Sequence, residues 1–195
     1  MTNRALRNAV AVFSFCLSLL LVAGSTLGQD SPKYKRTVEY YTIPDVTLVD
    51  QDGETVALRE LLDSEKPVLV DFIFATCTTV CPVLSAGFSN LQKKLGPQAE
   101  QVRLVSISID PDNDRPEIMK QYLERYNAQA GWVFLTGAHD DIVRVMRAFD
   151  AYVENKMSHY PLIILHAPGS REWVRIYGMV GTADLVAEYR KLLEK

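Results

Sequence analysis

Two cysteines stand four residues apart in Phe72-Ile73-Phe74-Ala75-Thr76-Cys77-Thr78-Thr79-Val80-Cys81-Pro82. A third, Cys16, lies in an apolar N-terminal stretch, so the remainder of the chain holds this pair alone. Thiolates act as nucleophiles, redox groups and soft metal ligands. A disulfide across so short a loop stabilises little, because its effect grows with the loop it closes. The pair therefore reads as reactive or metal-binding rather than as a staple. Cys-x-x-Cys is the usual dithiol oxidoreductase spacing, and the extra residue here leaves room for a metal between the sulfurs. A closed zinc site requires four ligands, which two cysteines and the three histidines His139, His159 and His166 support poorly. Two soft thiolates and one imidazole suit copper.

Such a pair must be positioned by the elements around it. Residues 68–74 form an apolar run interrupted by Asp71, as in a central buried strand. A helix is predicted from Cys81-Pro82, with Leu84, Phe88, Leu91 and Leu95 at helical spacing and Gly96-Pro97 as its stop. Cysteines four apart on one helical turn share a face, with Cβ atoms about 5–6 Å apart. A helix N-terminus also favours negative charge, so thiolates are expected to form more easily here than in free cysteine.

Upstream, residues 46–49 and 55–58 read as a hairpin around Gln51-Asp52-Gly53. Downstream, strands are predicted at 102–109, 132–135, 161–165 and 173–177. Helices are predicted from Pro116, from Asp140, and along Leu185, Val186, Tyr189 and Leu192. The order is a hairpin, then β-α-β-α-β-α-β-β-α. This predicts an α/β domain with a mixed sheet, helices on both faces and an N-terminal β-hairpin, the layout of thioredoxin-like folds.

Residues 1–28 read as a signal peptide or membrane anchor. Arg4 and Arg7 precede an almost wholly apolar run over 9–23, and residues 24–29 are small and polar. The run is short for a span of about twenty residues. Residues 29–43 read as a linker and 44–195 as one domain. The expected location is the bacterial periplasm or the periplasmic face of the inner membrane, ahead of a mitochondrial one. With 48% hydrophobic and 23% charged residues, a sizeable core can be buried. A net charge of -3, and no Lys/Arg cluster after the leader, argue against a nucleic-acid partner.

From about Ile43 to the C-terminus the chain resembles the Sco/SenC family of copper-handling proteins. The resemblance rests on Cys77-x-x-x-Cys81-Pro82, on Ser106-Ile107-Ser108-Ile109-Asp110-Pro111-Asp112-Asn113-Asp114, on Leu135-Thr136-Gly137, and on a histidine before the late strand, in Met157-Ser158-His159-Tyr160-Pro161. It implies copper held by Cys77, Cys81 and His159, and a redox-active pair at Cys77 and Cys81. It also implies a partner: the copper-binding subunit of cytochrome c oxidase, or another copper or thiol protein. The implied task is delivery of copper to the dinuclear copper centre of that oxidase, or reduction of thiols there. An exported thiol–disulfide oxidoreductase is therefore the alternative. A thiol peroxidase ranks lower, because Phe74 stands where its motif needs proline, and a non-catalytic binding domain is the residual option.

This chain departs from the family pattern. Thr78 and Thr79 stand between the cysteines, where the family usually carries an acid, and Ser158 stands where Asp usually precedes the histidine. Pro161 lies where thioredoxins carry a cis-proline facing their cysteines, so a cis Tyr160–Pro161 bond is an expectation that favours thiol exchange. His139 is expected to be solvated, and His166 and Met157 to pack. Asp110, Asp112 and Asp114 lack the glycine and distant Glu of a calcium loop and read as caps and turns. Asp71 reads as an edge or partly solvated carboxylate, ahead of the alternative that the resemblance to thioredoxins suggests, a buried acid that assists proton movement near the cysteines.

Overall fold

The computed structural model describes residues 34–194. The expectations for residues 1–28, including Cys16, lie outside the described residues. Eight strands run in chain order: β1 (Tyr34–Glu39), β2 (Thr47–Val49), β3 (Thr55–Ala57), β4 (Val68–Ile73), β5 (Arg103–Ser108), β6 (Trp132–Leu135), β7 (Leu162–His166) and β8 (Trp173–Gly178). The helices are α1 (Leu58–Leu62), α2 (Cys81–Leu95), α3 (Pro116–Arg125), α4 (His139–Ala148) and α5 (Thr182–Leu193). Short 3-10 turns occupy Gly96–Gln101 and Lys156–Ser158.

Six strands form one sheet in the order β1-β8-β7-β4-β5-β6, and β2-β3 form the separate hairpin. The β4, β5 and β6 strands are mutually parallel, whereas β7, β8 and β1 add on antiparallel. This is the mixed sheet that the order of elements predicted. All six residues of β4 are buried, as a strand flanked on both sides and covered on both faces requires. The Asp71 carboxylate lies near enough to Cys81 of α2 and Tyr122 of α3 to raise the pKa of both, whereas Phe149, just past α4, packs on Phe72. Adjacent strand residues point to opposite faces, so helices cover both. The hairpin is clamped to the end of β6 by paired Val49–Thr136 backbone bonds of 2.7 and 2.8 Å. A Cβ on Gly137 would meet Leu48 Cδ2 at 2.8 Å, which accounts for a glycine after Leu135-Thr136.

The backbone and the sheet differ from the sequence expectations at β1, at Asp71 and at the Tyr160–Pro161 bond. Within the stretch read as a linker, Tyr34–Glu39 forms β1, an edge strand on β8. Its polar sequence hides it, because backbone pairing to β8 and a charged contact hold it, with Tyr34 as its main packing against the core. Arg36 Nε lies 2.7 Å from the buried Glu188 Oε2, and the Tyr34 hydroxyl donates to Oε1 at 3.2 Å. Asp71 is neither at an edge nor solvated; it is wholly buried in the central strand. The Tyr160–Pro161 bond is trans, so the argument for thiol exchange drawn from a cis bond falls away. Among the described residues, no helix is long and apolar enough to cross a membrane.

Candidate metal centre

The cysteine loop leaves the buried end of β4. The Cys77 N–H donates to the Phe74 carbonyl at 3.1 Å, turning the chain back. The Asp114 carboxylate accepts the Ala75 N–H at 3.2 and 3.3 Å, fixing the start of the loop. Cys81 then opens α2, with Pro82 in the first turn, where its missing N–H costs nothing. Cys77 therefore sits in the loop and not on the helix, so the two cysteines do not approach through helical spacing. His159 directly follows the 3-10 turn that precedes β7.

Strand pairing brings these segments together. Antiparallel β4 and β7 align Asp71 with Ile163, so the exit of β4 lies beside the entry of β7. The Cys77 and Cys81 sulfurs and a His159 ring nitrogen all lie within 4.8 Å of one another. Both cysteines are free and buried, and His159 is half-buried. His159 Nε2 is 3.2 Å from Cys81 Sγ, and Nδ1 is 2.7 Å from the Lys156 carbonyl. A carbonyl can only accept, so Nδ1 carries the proton. The Nε2 lone pair of the neutral ring then faces the sulfur, the orientation a metal-binding histidine needs. Burial lowers the His159 pKa, opposed by the Lys156 carbonyl, and so favours that neutral ring.

The two thiols differ. Burial acts to raise Cys77, but hydrogen bonds from Cys81 and Thr79 outweigh it and leave the thiol below its ordinary range. The Thr79 hydroxyl lies 3.5 Å from Cys77 Sγ. It can donate to a thiolate, where a carboxylate in the same place would repel one. Cys81 is pushed up, first by burial and then by its bond to Cys77. A thiolate is thus favoured at Cys77, through its hydrogen bonds and not through a place on the helix, and the expectation of an easier thiolate at the helix start fails for Cys81, where desolvation dominates.

The remaining candidates lie elsewhere. His139 is exposed. His166 stacks on Trp173 with ring centroids 4.0 Å apart and bonds the Ser170 carbonyl at 2.9 Å, which is packing. Met157 is 62% exposed and buries little. Asp110, Asp112 and Asp114 hold no cluster of metal-ligand spacing among the described residues. Asp114 serves the cysteine loop, and Asp110 pairs with Lys156. Sequence reasoning missed Thr79 and Lys156, because neither residue type advertises a role and the contacts depend on loop shape.

The arrangement offers two soft sulfurs and one imidazole, with no fourth His, Cys, Asp or Glu joining the cluster among the described residues, which fits copper better than a closed zinc site. The family model described as SCO1/SenC matches residues 35–191. The SCO1 protein homolog of Bacillus subtilis is 33% identical over 160 residues, which cover 77% of this chain and 82% of that one. Among solved structures, BsSco, reported with a disulfide switch and described as a member of the Sco family of cytochrome c oxidase assembly proteins, is 29% identical. Its TM-score is 0.66, over 80% of this chain and 95% of that one. Bradyrhizobium japonicum ScoI, solved with copper bound, is 27% identical with a TM-score of 0.63, over 77% of this chain and 99% of that one. A thioredoxin-like fold, a matching family model over most of the chain and a relative of this similarity lead to one conclusion: the chain belongs to the SCO1/SenC family.

Proposed function

We propose that this protein is a copper metallochaperone: Cys77, Cys81 and His159 take up one copper ion, which is passed to the dinuclear copper site of cytochrome c oxidase. The observation that carries this reading is the convergence of two sulfurs and an unprotonated ring nitrogen within 4.8 Å. Copper-bound ScoI of B. japonicum and the oxidase-assembly description of BsSco support it. Three ligands rather than four leave the ion accessible, as transfer requires. Export follows from the composition of residues 1–28 and suits an oxidase subunit as recipient. Anaerobic titration of the reduced protein with cuprous ion tests the reading. One equivalent should bind, and weaker binding should follow loss of His159. No one-to-one complex, or one indifferent to His159, would overturn it.

A second reading is favoured by the asymmetry of the thiols. Cys77, with its lowered pKa, would attack a partner disulfide and form a mixed disulfide, releasing one partner thiol. Cys81 would then lose its proton and attack Cys77 Sγ, releasing the second. The partner gains two electrons and two protons, and Cys77–Cys81 becomes a disulfide. A redox titration separates the readings, because a pair far below thioredoxin-range potentials would be a poor exchanger.

A further inference from the structure

The stretch from Ser106 to Asp114 supplies no ligand atom to the cluster, yet its polar side chains reach both halves of it. The Ser108 hydroxyl donates to Asp114 Oδ2 at 2.6 Å and accepts the Asp110 N–H at 3.0 Å. Asp114 in turn holds Ala75, two residues before Cys77. Asp110, its side chain 8% exposed, accepts from Asn113 at 2.9 Å and pairs with the Lys156 ammonium. Lys156 is the residue whose carbonyl holds His159 Nδ1. Its ammonium also lies 5.4 Å from the Phe74 ring centroid, and Phe74 meets the His159 ring edge-on at 5.3 Å.

Within the turn that carries His159, the Ser158 N–H donates to the Asn155 carbonyl at 2.8 Å and the His159 N–H to the Lys156 carbonyl at 3.3 Å, but these bonds tie the turn only to itself. Asn155 Oδ1 accepts the Met157 N–H at 2.9 Å and sets the shape of the turn, but Asn155, Met157 and Ser158 are all exposed. Lys156 and His159 are the two half-buried residues of the segment from Asn155 to Tyr160. We propose that the Asp110–Lys156 ion pair is a latch that positions the metal site: it fixes the Lys156 carbonyl, which sets the His159 tautomer and aims Nε2 at Cys81. Asp114 ties the cysteine loop to the same end of the sheet, so one polar network holds both halves in register. A partly buried pair is weakly screened, which suits it to hold one geometry. Without it, the flexible stem of Lys156 is free to carry its charge into water.

The metal-bound part of this proposal rests on the copper reading, and the metal-free part does not. The test compares wild type with Asp110→Asn, Lys156→Met and the rescue variant Lys156→Arg. In reduced, metal-free protein, long-range nitrogen–proton NMR of His159 should show the proton on Nδ1 in wild type and Lys156→Arg. Asp110→Asn and Lys156→Met should show a mixture of tautomers. With cuprous ion, the same two variants should bind roughly 10–100-fold more weakly, the usual effect of losing an outer partner of a ligand, while keeping one equivalent on the cysteines. A wild-type tautomer in both variants, even with a lowered melting temperature, would make the pair a mere loop stabiliser and overturn the latch. If wild type binds no copper, the copper reading fails and the tautomer measurement alone decides the latch.

Discussion

His159 Nε2 stands 3.2 Å from Cys81 Sγ, although 78 residues separate them in the chain. The antiparallel pairing of β4 with β7 produces this contact, since it sets the exit of one strand beside the entry of the other. The Lys156 carbonyl at Nδ1 then selects the nitrogen that faces the sulfur. The site is thus built by sheet topology first and by one backbone acceptor second.

If Nε2 is a ligand, truncation at His159 should weaken copper binding without unfolding the domain. His159→Ala is expected to lower cuprous affinity by at least the roughly 10–100-fold that follows loss of an outer partner. Competition against a chelator of known affinity measures it. Unchanged affinity would remove His159 from the ligand set.

The lowered Cys77 pKa and the raised Cys81 pKa predict unequal reactivity. In the reduced, metal-free protein, iodoacetamide should modify Cys77 first, and peptide mass spectrometry should show Cys81 lagging well behind. Thr79→Val removes a hydroxyl from Cys77 Sγ and should move the rate–pH curve of Cys77 upward. Equal rates at the two cysteines would contradict the assignment.

Asp71 predicts a stability that depends on pH. Among the described residues, neither carboxylate oxygen has a hydrogen-bond partner. Burial pushes its pKa up to about 7, with the Ser106 hydroxyl nearby acting against it without reaching hydrogen-bond geometry. The folded state then holds this proton more tightly than the unfolded chain. Stability from this group should fall as pH rises from about 4 to about 7 and level off above, by up to about 4 kcal/mol. Asp71→Asn should flatten that decline, as urea unfolding at a series of pH values would reveal. Parallel curves for wild type and variant would sink the prediction.

Glu188 makes the opposite prediction. Burial acts to raise it, but bonds from Lys191 and Arg36 outweigh burial and hold its carboxyl below the usual range. Its contribution is present above the ordinary glutamate pKa and lost as pH falls through the lowered folded value. Because Arg36 belongs to β1, Glu188→Gln should speed amide exchange in Tyr34–Glu39 more than in β4. Equal protection in the two strands of variant and wild type would count against a charge-held edge.

What the sequence showed depended on how each feature is held. The β4 and β7 strands were legible because burial on both faces demands runs of apolar side chains. The cysteine pair was legible because few roles suit two thiols so close together. His159 was legible through family resemblance, since nothing local marks it out from His166 or His139. The β1 strand was hidden because Arg36 and Tyr34 reach a glutamate 152 and 154 residues away. Asp71 was misread because one carboxylate in an apolar run does not reveal whether the strand is central. The link between Asp110 and Lys156 joins two segments 46 residues apart, and no spacing rule foretells it.

The most direct test of the central claim is X-ray absorption at the copper edge of the one-to-one complex. The account predicts two sulfur scatterers and one imidazole nitrogen in wild type, with the imidazole signal lost in His159→Ala. A copper environment of sulfur alone in wild type, or one unchanged by His159→Ala, would contradict it.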